Sequence, residues 1–458
     1  MQGKGIWCKK LVIIADLHRP LATIMKELPM KTICFLFCTI FYAFNPGTAL
    51  AQAEQFPPEK VTKVRPAAER INTYLALLKG KKVGIFANHT SIVGKTHLVD
   101  TLLSLGIKIE MIFAPEHGFR GDADAGEKVG NTKDPKTGIE IISLYGSKRR
   151  PSEEELKKLD VLVFDIQDVG LRYYTYISSL EEFMNAAMEN DKPLMLLDRP
   201  NPNGFYVDGP ILEMPFRSFV GRQPIPVVYG MTIGEYGMML AGEKWLSEKA
   251  NAKMEYNKNS NPSADTPFHF LVIKNEGYTH KSYYELPVAP SPNLPDMQSV
   301  LLYASTCYFE GTDVSLGRGT TKPFQVYGHP TMSKDLYSFT PRSVPGAKNP
   351  PHLNVTCYGA DLSNVVIDIS KPEWQRIQLK YLLDAYRLFP DKSRFFLKPS
   401  KQNPQPQDYF FNKLTGNAIL MQQIIDATPE AEIRKTWEPG LKTFKEMRKK
   451  YLLYADFE

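Results

Sequence analysis

The sequence predicts an α/β protein: a doubly wound parallel sheet with a second, smaller α+β domain. From about residue 82, short apolar runs alternate with amphipathic helical segments, the pattern of a parallel sheet covered on both faces. The runs are too short and too continuously apolar for surface helices. After about residue 250 the rhythm stops, and Asn, Lys, Ser and Pro become dense.

In chain order the strands are VGIFAN from Val83, IEMIFAP from Ile109, DVLVFDI from Asp160 and PLMLLD from Pro193. Ser152 with Glu155 opens one helix, and Thr232 with Glu235 opens another that reaches Trp245. Both pairs fit a capping box, in which side chain and backbone at a helix start satisfy each other's hydrogen bonds. A helix from Ser178 or Ser179 to Asn190 would place Leu180, Phe183, Met184, Ala187 and Met188 on one face. Residues 251–267 and the prolines from Pro287 to Pro295 read as a linker region. The second domain would mix a strand, NVVIDI from Asn364, with a helix after Ser370 whose Trp374, Ile377, Tyr381, Ala385 and Leu388 share a face. The domains are therefore set at 60–288 and 289–458, with no internal repeat.

A chain of 458 residues with a formal charge of +6 carries no basic stripe, so a nucleic-acid partner is not expected. Residues 30–53 have the layout of a cleavable secretory signal: a lysine, an apolar run, then Ala49, Ala51 and Ala53. Asn45, Pro46 and Gly47 end that run before the roughly 20 apolar residues of a membrane span. The reading is a product starting at Met30, secreted to the periplasm, with no stable membrane anchor. Removing the signal leaves Cys307 and Cys357, which the sequence allows as a disulfide or as two buried thiols.

In an open parallel sheet ligands sit beyond the carboxyl ends of the strands. All four strands are followed by polar clusters: Asn88, His89 and Thr90; Glu116, His117, Gly118 and Arg120; Gln167, Asp168 and Arg172; Arg199, Asn201 and Asn203. Loops are polar in any protein, so one cluster means little; four at one sheet edge point to a site. Pro115, Gly118 and Gly121 would hold Glu116 still. Beside Phe113 and Phe119 its carboxyl would be desolvated and kept protonated as a general acid; an ion pair with Arg120 would do the reverse. His117 is a candidate base, or a group that orients its neighbours. Asp165 and Asp168 offer the second carboxylate of most glycoside hydrolysis, as nucleophile close by or base farther off. Arg172 would grip a substrate carboxylate and Tyr173, Tyr174 and Tyr176 would stack a sugar, with ordinary packing the alternative for at least one tyrosine.

Other chemistries lack their geometry. GKT at Gly94 has His89 where a phosphate loop needs glycine, and neither G-x-G-x-x-G nor G-x-S-x-G occurs. The eight histidines form no pair at helical metal-binding spacing, so neither metal nor cofactor is expected. GRGTTK from Gly317 is a weak anion-binding candidate.

GKKVGIFANHTSI, FAPEHGFRG, VFDIQDVGLRYYTYISSL, LDRPNPNG with VDGP, and CYFEGTDVSLGRGTTKPFQVYG together resemble the NamZ-type exo-β-N-acetylmuramidases, from about residue 60 to the C-terminus. The resemblance implies a Rossmann-like sheet that binds no dinucleotide, a smaller C-terminal domain, and release of non-reducing-end N-acetylmuramic acid from peptidoglycan fragments. It makes Glu116 the favoured catalytic residue and places His117, Arg120, Asp165, Gln167, Arg172, Tyr174, Asn201 and Arg318 along the cleft. Arg172 or Arg318 would meet the lactyl carboxylate. The sugar's own acetamido group is an alternative to a protein nucleophile. One departure is FNKLTGN from Phe411, where relatives carry an aspartate, and it bears on an outer subsite. The competing readings are a periplasmic muropeptide-binding protein without turnover and an esterase or amidase, the latter without a serine elbow or reactive cysteine.

Overall fold

The computed structural model describes residues 63–116, 118–120, 131–254 and 268–458, so the signal at 30–53, Gly121 and His117 lie outside the described residues. The described residues fall within one compact unit, Thr62–Glu458.

The strands of the first part are β1 (Lys82–Ala87), the hairpin of β2 (Ile92–Val93) and β3 (Thr96–His97), β4 (Lys108–Ala114), β5 (Thr132–Lys133), β6 (Glu140–Ser143), β7 (Val161–Asp165), β8 (Leu194–Leu197) and β9 (Phe270–Ile273). Seven of them form one sheet in the order β5-β6-β4-β1-β7-β8-β9. All its neighbours are parallel except the β5–β6 edge pair. Numbered along the chain, the six parallel strands run 3-2-1-4-5-6, the order of the doubly wound Rossmann-type sheet. The four runs read from sequence are β1, β4, β7 and β8. Strand β6 escaped because it buries only Ile141 and Ile142 between polar residues, and β9 because it follows the polar stretch taken for a linker.

Alternation explains the continuous apolar runs. Phe86, Leu162, Phe164, Leu194 and Leu196 belong to one core, while Val83, Ile85, Val163, Met195 and Leu197 belong to another on the opposite face. Helices α1 (Leu75–Leu78) and α2 (Leu98–Ser104) supply the second core. Short α3 (Glu153–Lys157) follows, and α4 (Tyr176–Glu189) and α5 (Ile233–Gly242) cover the first core. Phe183 on α4 meets Phe86 and Phe113 edge-on at 5.3 and 5.5 Å, and Phe86 stacks on Phe164 at 4.5 Å. Each such ring contributes about 1.5–3 kcal/mol by leaving water.

Both capping boxes are present, Ser152 with Glu155 and Thr232 with Glu235. Helix α5 ends at Gly242 rather than Trp245, because Lys244 turns to φ +57°.

After α6 (Glu248–Lys253) and β9, the chain forms α7 (Met297–Thr306) and a three-stranded antiparallel sheet of β10 (Val326–His329), β11 (Tyr337–Phe339) and β12 (Cys357–Asp361), ordered β10-β12-β11. Helices α8 (Leu379–Leu388), α9 (Phe410–Thr415), α10 (Ile419–Ile425), α11 (Glu430–Lys435) and α12 (Glu438–Lys449) complete it. The first core runs without a break from Phe86 into this part. The tail then returns to the parallel sheet: Tyr454 donates to Asp198 after β8, and Leu453 N to Glu235 at 2.7 Å.

Two expectations for this part are corrected. Residues 364–369 form no strand; Val366 is exposed, and Gln298 Nε2 donates to the carbonyls of Leu362 and Val365, which do not enter a ladder. The helix after Ser370 is a 3-10 turn at Pro372–Trp374 followed by α8, whose buried face is Leu379, Leu382 and Ala385. Trp374 lies outside that face because the turn breaks the helical register, and Leu388, within α8, is exposed off the face.

Candidate active site

In a 3-2-1-4-5-6 sheet the loops after strands 1 and 4 turn to opposite faces and leave a crevice. Here those strands are β1 and β7, joined in register at Ala87 and Asp165. A hollow of about 480 Å3, counted to its open mouth, lies at this edge of the sheet. Glu116, Tyr174, Tyr176, Asn293, Tyr303 and Arg318 are among its walls.

Glu116 follows β4 directly and is partly buried. Tyr145, just past β6, donates to its Oε1 at 3.0 Å. Burial and the neighbouring Glu116 carboxylate push the Tyr145 phenol up to about 12, so it stays a donor at neutral pH. Phe113 and Phe119 each belong to one of the two sheet cores.

The loop after β7 supplies the tyrosine wall. Tyr174 and Tyr176 meet edge-on at 4.7 Å. Tyr174 donates to the Pro290 carbonyl at 2.8 Å, and Asn88 Nδ2 donates to Tyr176 at 2.9 Å. Asn88 is fully buried, its Oδ1 accepting from Thr90 N, so it orients a wall of the cleft from behind. Tyr173 donates to the carbonyls of Tyr303 and Ala304, tying this loop to α7.

The far wall comes from the proline-rich stretch and from GRGTTK. His89 Nε2 lies 2.9 Å from the Ala289 carbonyl, and Asn293 Nδ2 donates to Gly346 O at 2.8 Å. Arg318 donates through Nε and Nη2 to Glu310 and lies over the Phe324 ring at 5.0 Å. Its Nη1 makes no hydrogen bond among the described residues. Phe324 itself holds φ +62°, a left-handed conformation costing a non-glycine residue on the order of 1–3 kcal/mol.

Several residues read as cleft groups stand elsewhere, each for a visible reason. Asp165 is sealed in a two-pronged ion pair with Arg199, Nε to Oδ1 at 2.6 Å and Nη2 to Oδ2 at 2.8 Å, leaving no face for a sugar or water. Arg172 is fully buried, donating to the carbonyls of Pro210, Ile225 and Leu414; burial pushes it down to about 10. It joins the first part of the chain to α9 and does not grip a carboxylate. Arg120 is clamped to Asp134 at 2.9 Å and leans on Phe119. Gln167 Nε2 donates to the Asp168 and Pro200 carbonyls. Asn201 donates to Met231 O and packs where Gly170, at φ +76°, leaves no room for a Cβ. Asp168 is buried, accepts from Gly170 N and Tyr229, and has its carboxyl raised by burial to about 6. Among the described residues lining the hollow, Glu116 is the one carboxylate.

Sequence reasoning missed Tyr145, Ser291, Asn293, Tyr303 and Phe324. The strand-end rule applied to EIIS at β6 would have flagged Tyr145; the prolines from Pro287 to Pro295 masked Ser291 and Asn293. Cys307 and Cys357 are free and buried, and burial pushes the Cys357 thiol up to about 12. One further group of polar side chains, Asp313, His329 and His352, brings three potential metal-ligand atoms within 4.8 Å. Its charges are internally matched: His352 Nε2 lies 2.7 Å from the Asp313 carbonyl, and the Arg394 guanidinium lies 3.5 Å from the Asp313 carboxylate.

The fold and cleft define a Rossmann-like α/β protein whose switch-point crevice is walled by tyrosines and carries one carboxylate among its described walls. Residues 83–298 match the family described as exo-beta-N-acetylmuramidase NamZ, N-terminal, and residues 301–454 match its C-terminal part; the chain belongs to this family. It is 36% identical over 447 residues to the peptidoglycan beta-N-acetylmuramidase NamZ of Bacillus subtilis (strain 168), an alignment covering 93% of this chain and all of that protein. Two crystal structures of DUF1343 family proteins from Bacteroides fragilis NCTC 9343 share the fold. One superposes with a TM-score of 0.74 at 46% identity, covering 86% of this chain, and the other with 0.68 at 26%, covering 87%; each is itself covered completely.

Proposed function

We propose that this chain is an exo-acting glycosidase that releases non-reducing-end N-acetylmuramic acid from peptidoglycan fragments, with Glu116 as general acid and base. The carrying observation is the position of Glu116: the one carboxylate among the hollow's described walls, braced by Tyr145 and reached from the mouth. Family membership and the Bacillus relative support the substrate class.

In this reading a pyranose lies against Tyr174, Tyr176 and Tyr303, whose hydroxyls and ring edges suit a face that is part apolar and part polar. Arg318 offers Nη1 to the lactyl carboxylate. Glu116 protonates the departing glycosidic oxygen and later takes a proton from the attacking water. Asp165 is sealed and Asp168 is buried on Tyr229, so neither of these described carboxylates is the nucleophile in this reading; the substrate's acetamido oxygen attacks instead, closing a ring that water opens.

The domain division at residue 289 is retained in this proposal, the second part supplying Arg318 and the far wall. Export to the periplasm rests on the signal pattern of residues 30–53. No described helix is long and apolar enough to cross a membrane. Muramic acid released there would serve cell-wall recycling.

The test is hydrolysis of a chromogenic N-acetylmuramide against the N-acetylglucosaminide. The wild type should cleave the former selectively, and Glu116→Gln should lose at least about 10^3 in kcat with an unchanged urea midpoint. Sugar binding without turnover by the wild type would make it a muropeptide-binding protein. Turnover in Glu116→Gln at the wild-type rate would remove Glu116 from the chemistry.

A further inference from the structure

Asn293 lines the hollow with Glu116, and the chemistry above gives it no part. It is 4% exposed, and the chain around it is held from both sides. Tyr174 donates to the Pro290 carbonyl at 2.8 Å, Asn293 N donates to Ser291 Oγ at 3.2 Å, and Leu294 N donates to Ser291 O at 2.9 Å.

A tight turn of the second part, VPGA from Val344, packs against this stretch. Ala347 N donates to Val344 O at 2.9 Å, and Pro345 followed by Gly346 at φ +84° is the pair a type II turn demands. A Cβ at Gly346 would stand 2.5 Å from Pro292 Cβ, so the turn reaches Asn293 because that position is bare.

The contact fixes the amide. Asn293 Nδ2 donates to the Gly346 carbonyl at 2.8 Å. A carbonyl only accepts, so the nitrogen has to face the turn and the oxygen has to face away from it. Oδ1 accepts no hydrogen bond among the described residues, and it is not sealed as the unpaired Oδ1 of Asn203 is. The wall therefore carries a neutral acceptor in a set direction. Its neighbours offer something else: Tyr174 spends its proton on Pro290, Glu116 is a carboxylate, and Arg318 only donates.

We propose that Asn293 determines specificity for the 2-acetamido group, its Oδ1 accepting the acetamido N–H. The assignment rests on the cleft reading given above and names the side chain that recognises the N-acetyl group. In a trans amide the N–H points opposite to the carbonyl, so holding the N–H aims the acetamido oxygen. That oxygen gives an electron pair to the anomeric carbon, while the glycosidic oxygen leaves with its bonding pair and takes the proton of Glu116. Positive charge spreads onto the nitrogen, and the hydrogen bond to Oδ1 strengthens as it does. The amide oxygen is too weak a base to remove the proton, so water reopens the ring with the N–H intact.

The experiment measures binding of two ligands to the full chain by titration calorimetry: N-acetylmuramic acid, and its 2-deoxy analogue, which keeps the lactyl carboxylate and lacks the acetamido group. The wild type should prefer the first. Asn293→Ala should cut that preference about tenfold, the loss of one hydrogen bond, while binding the 2-deoxy analogue within about twofold of wild type. Its kcat on a chromogenic N-acetylmuramide should fall about 10- to 100-fold. Asn293→Asp breaks the bond to Gly346 yet keeps an acceptor; both ligands carry the same carboxylate, so the added charge cancels in the ratio, and the preference should stay within about threefold of wild type. Preference or kcat unchanged in Asn293→Ala would overturn the proposal. So would a preference lost as fully in Asn293→Asp as in Asn293→Ala, which would make Asn293 a brace for the turn. These results would leave selective hydrolysis by the wild type and the role of Glu116 standing. A wild type that neither binds N-acetylmuramic acid nor cleaves the chromogenic muramide would instead sink the reading of the cleft, and this assignment with it.

Discussion

Breaking the ion pair of Asp165 and Arg199 separates structure from chemistry at the end of β7. Both side chains are at most 1% exposed, so solvent screening does not discount the interaction. Arg199→Met removes the two bonds to Asp165 and the donation to the Ile92 carbonyl at 3.1 Å, leaving a carboxylate in the interior without its counter-charge. Removing one partner of such a pair costs about 3–5 kcal/mol, two to three and a half orders of magnitude in the folding equilibrium. Asp165→Leu should cost a similar amount, and the double variant Asp165→Leu, Arg199→Met should lie closer to wild type than either single, because it leaves no uncompensated charge. Urea titrations at pH 7 read these differences as shifts in midpoint at constant slope. If Asp165→Asn kept the wild-type midpoint yet lost more than about 10^3 in kcat, the carboxylate would belong to the reaction and this reasoning would be wrong.

Three more outcomes follow from the same geometry. Tyr145→Phe deletes the donor to Glu116 and should lower kcat about 10- to 100-fold with little change in KM; unchanged kcat would show that the hydrogen bond at 3.0 Å is idle. Arg172→Met strands three buried carbonyls and should cost about 3 kcal/mol in urea unfolding, whereas a raised KM at unchanged stability would return Arg172 to the substrate. Burial raises the Asp168 carboxyl to about 6, so between about pH 4 and 6 the folded protein keeps a proton that the unfolded chain releases. The Asp168 contribution to stability should therefore fall by about 3 kcal/mol as pH rises through that window, two pH units at 1.36 kcal/mol each, while Asp198, whose carboxyl burial raises to about 7, adds a fall of the same sign that continues to about pH 7. Asp168→Asn should flatten this slope in urea midpoints taken from pH 4 to 7; an unaltered slope would refute it.

What the amino-acid sequence determined by itself was local or periodic. Val83, Ile109, Asp160 and Pro193 each open a run whose two faces are both apolar, and such a run has few homes but a sheet covered on both sides. Ser152 with Glu155 and Thr232 with Glu235 cap helices through atoms three residues apart, and both boxes formed. Glu116 at the end of β4 was legible because strand ends converge. Tertiary structure alone decided which polar residue at those ends is spent on the protein. Asp165 and Arg199 are 34 residues apart and Arg172 and Leu414 are 242 apart, separations at which sequence holds no record of a partner. A charged side chain reads the same whether it waits for a ligand or is already neutralised across the sheet. Only the return of the chain from Pro290 to Arg318 over the crevice decided which walls Glu116 shares the hollow with.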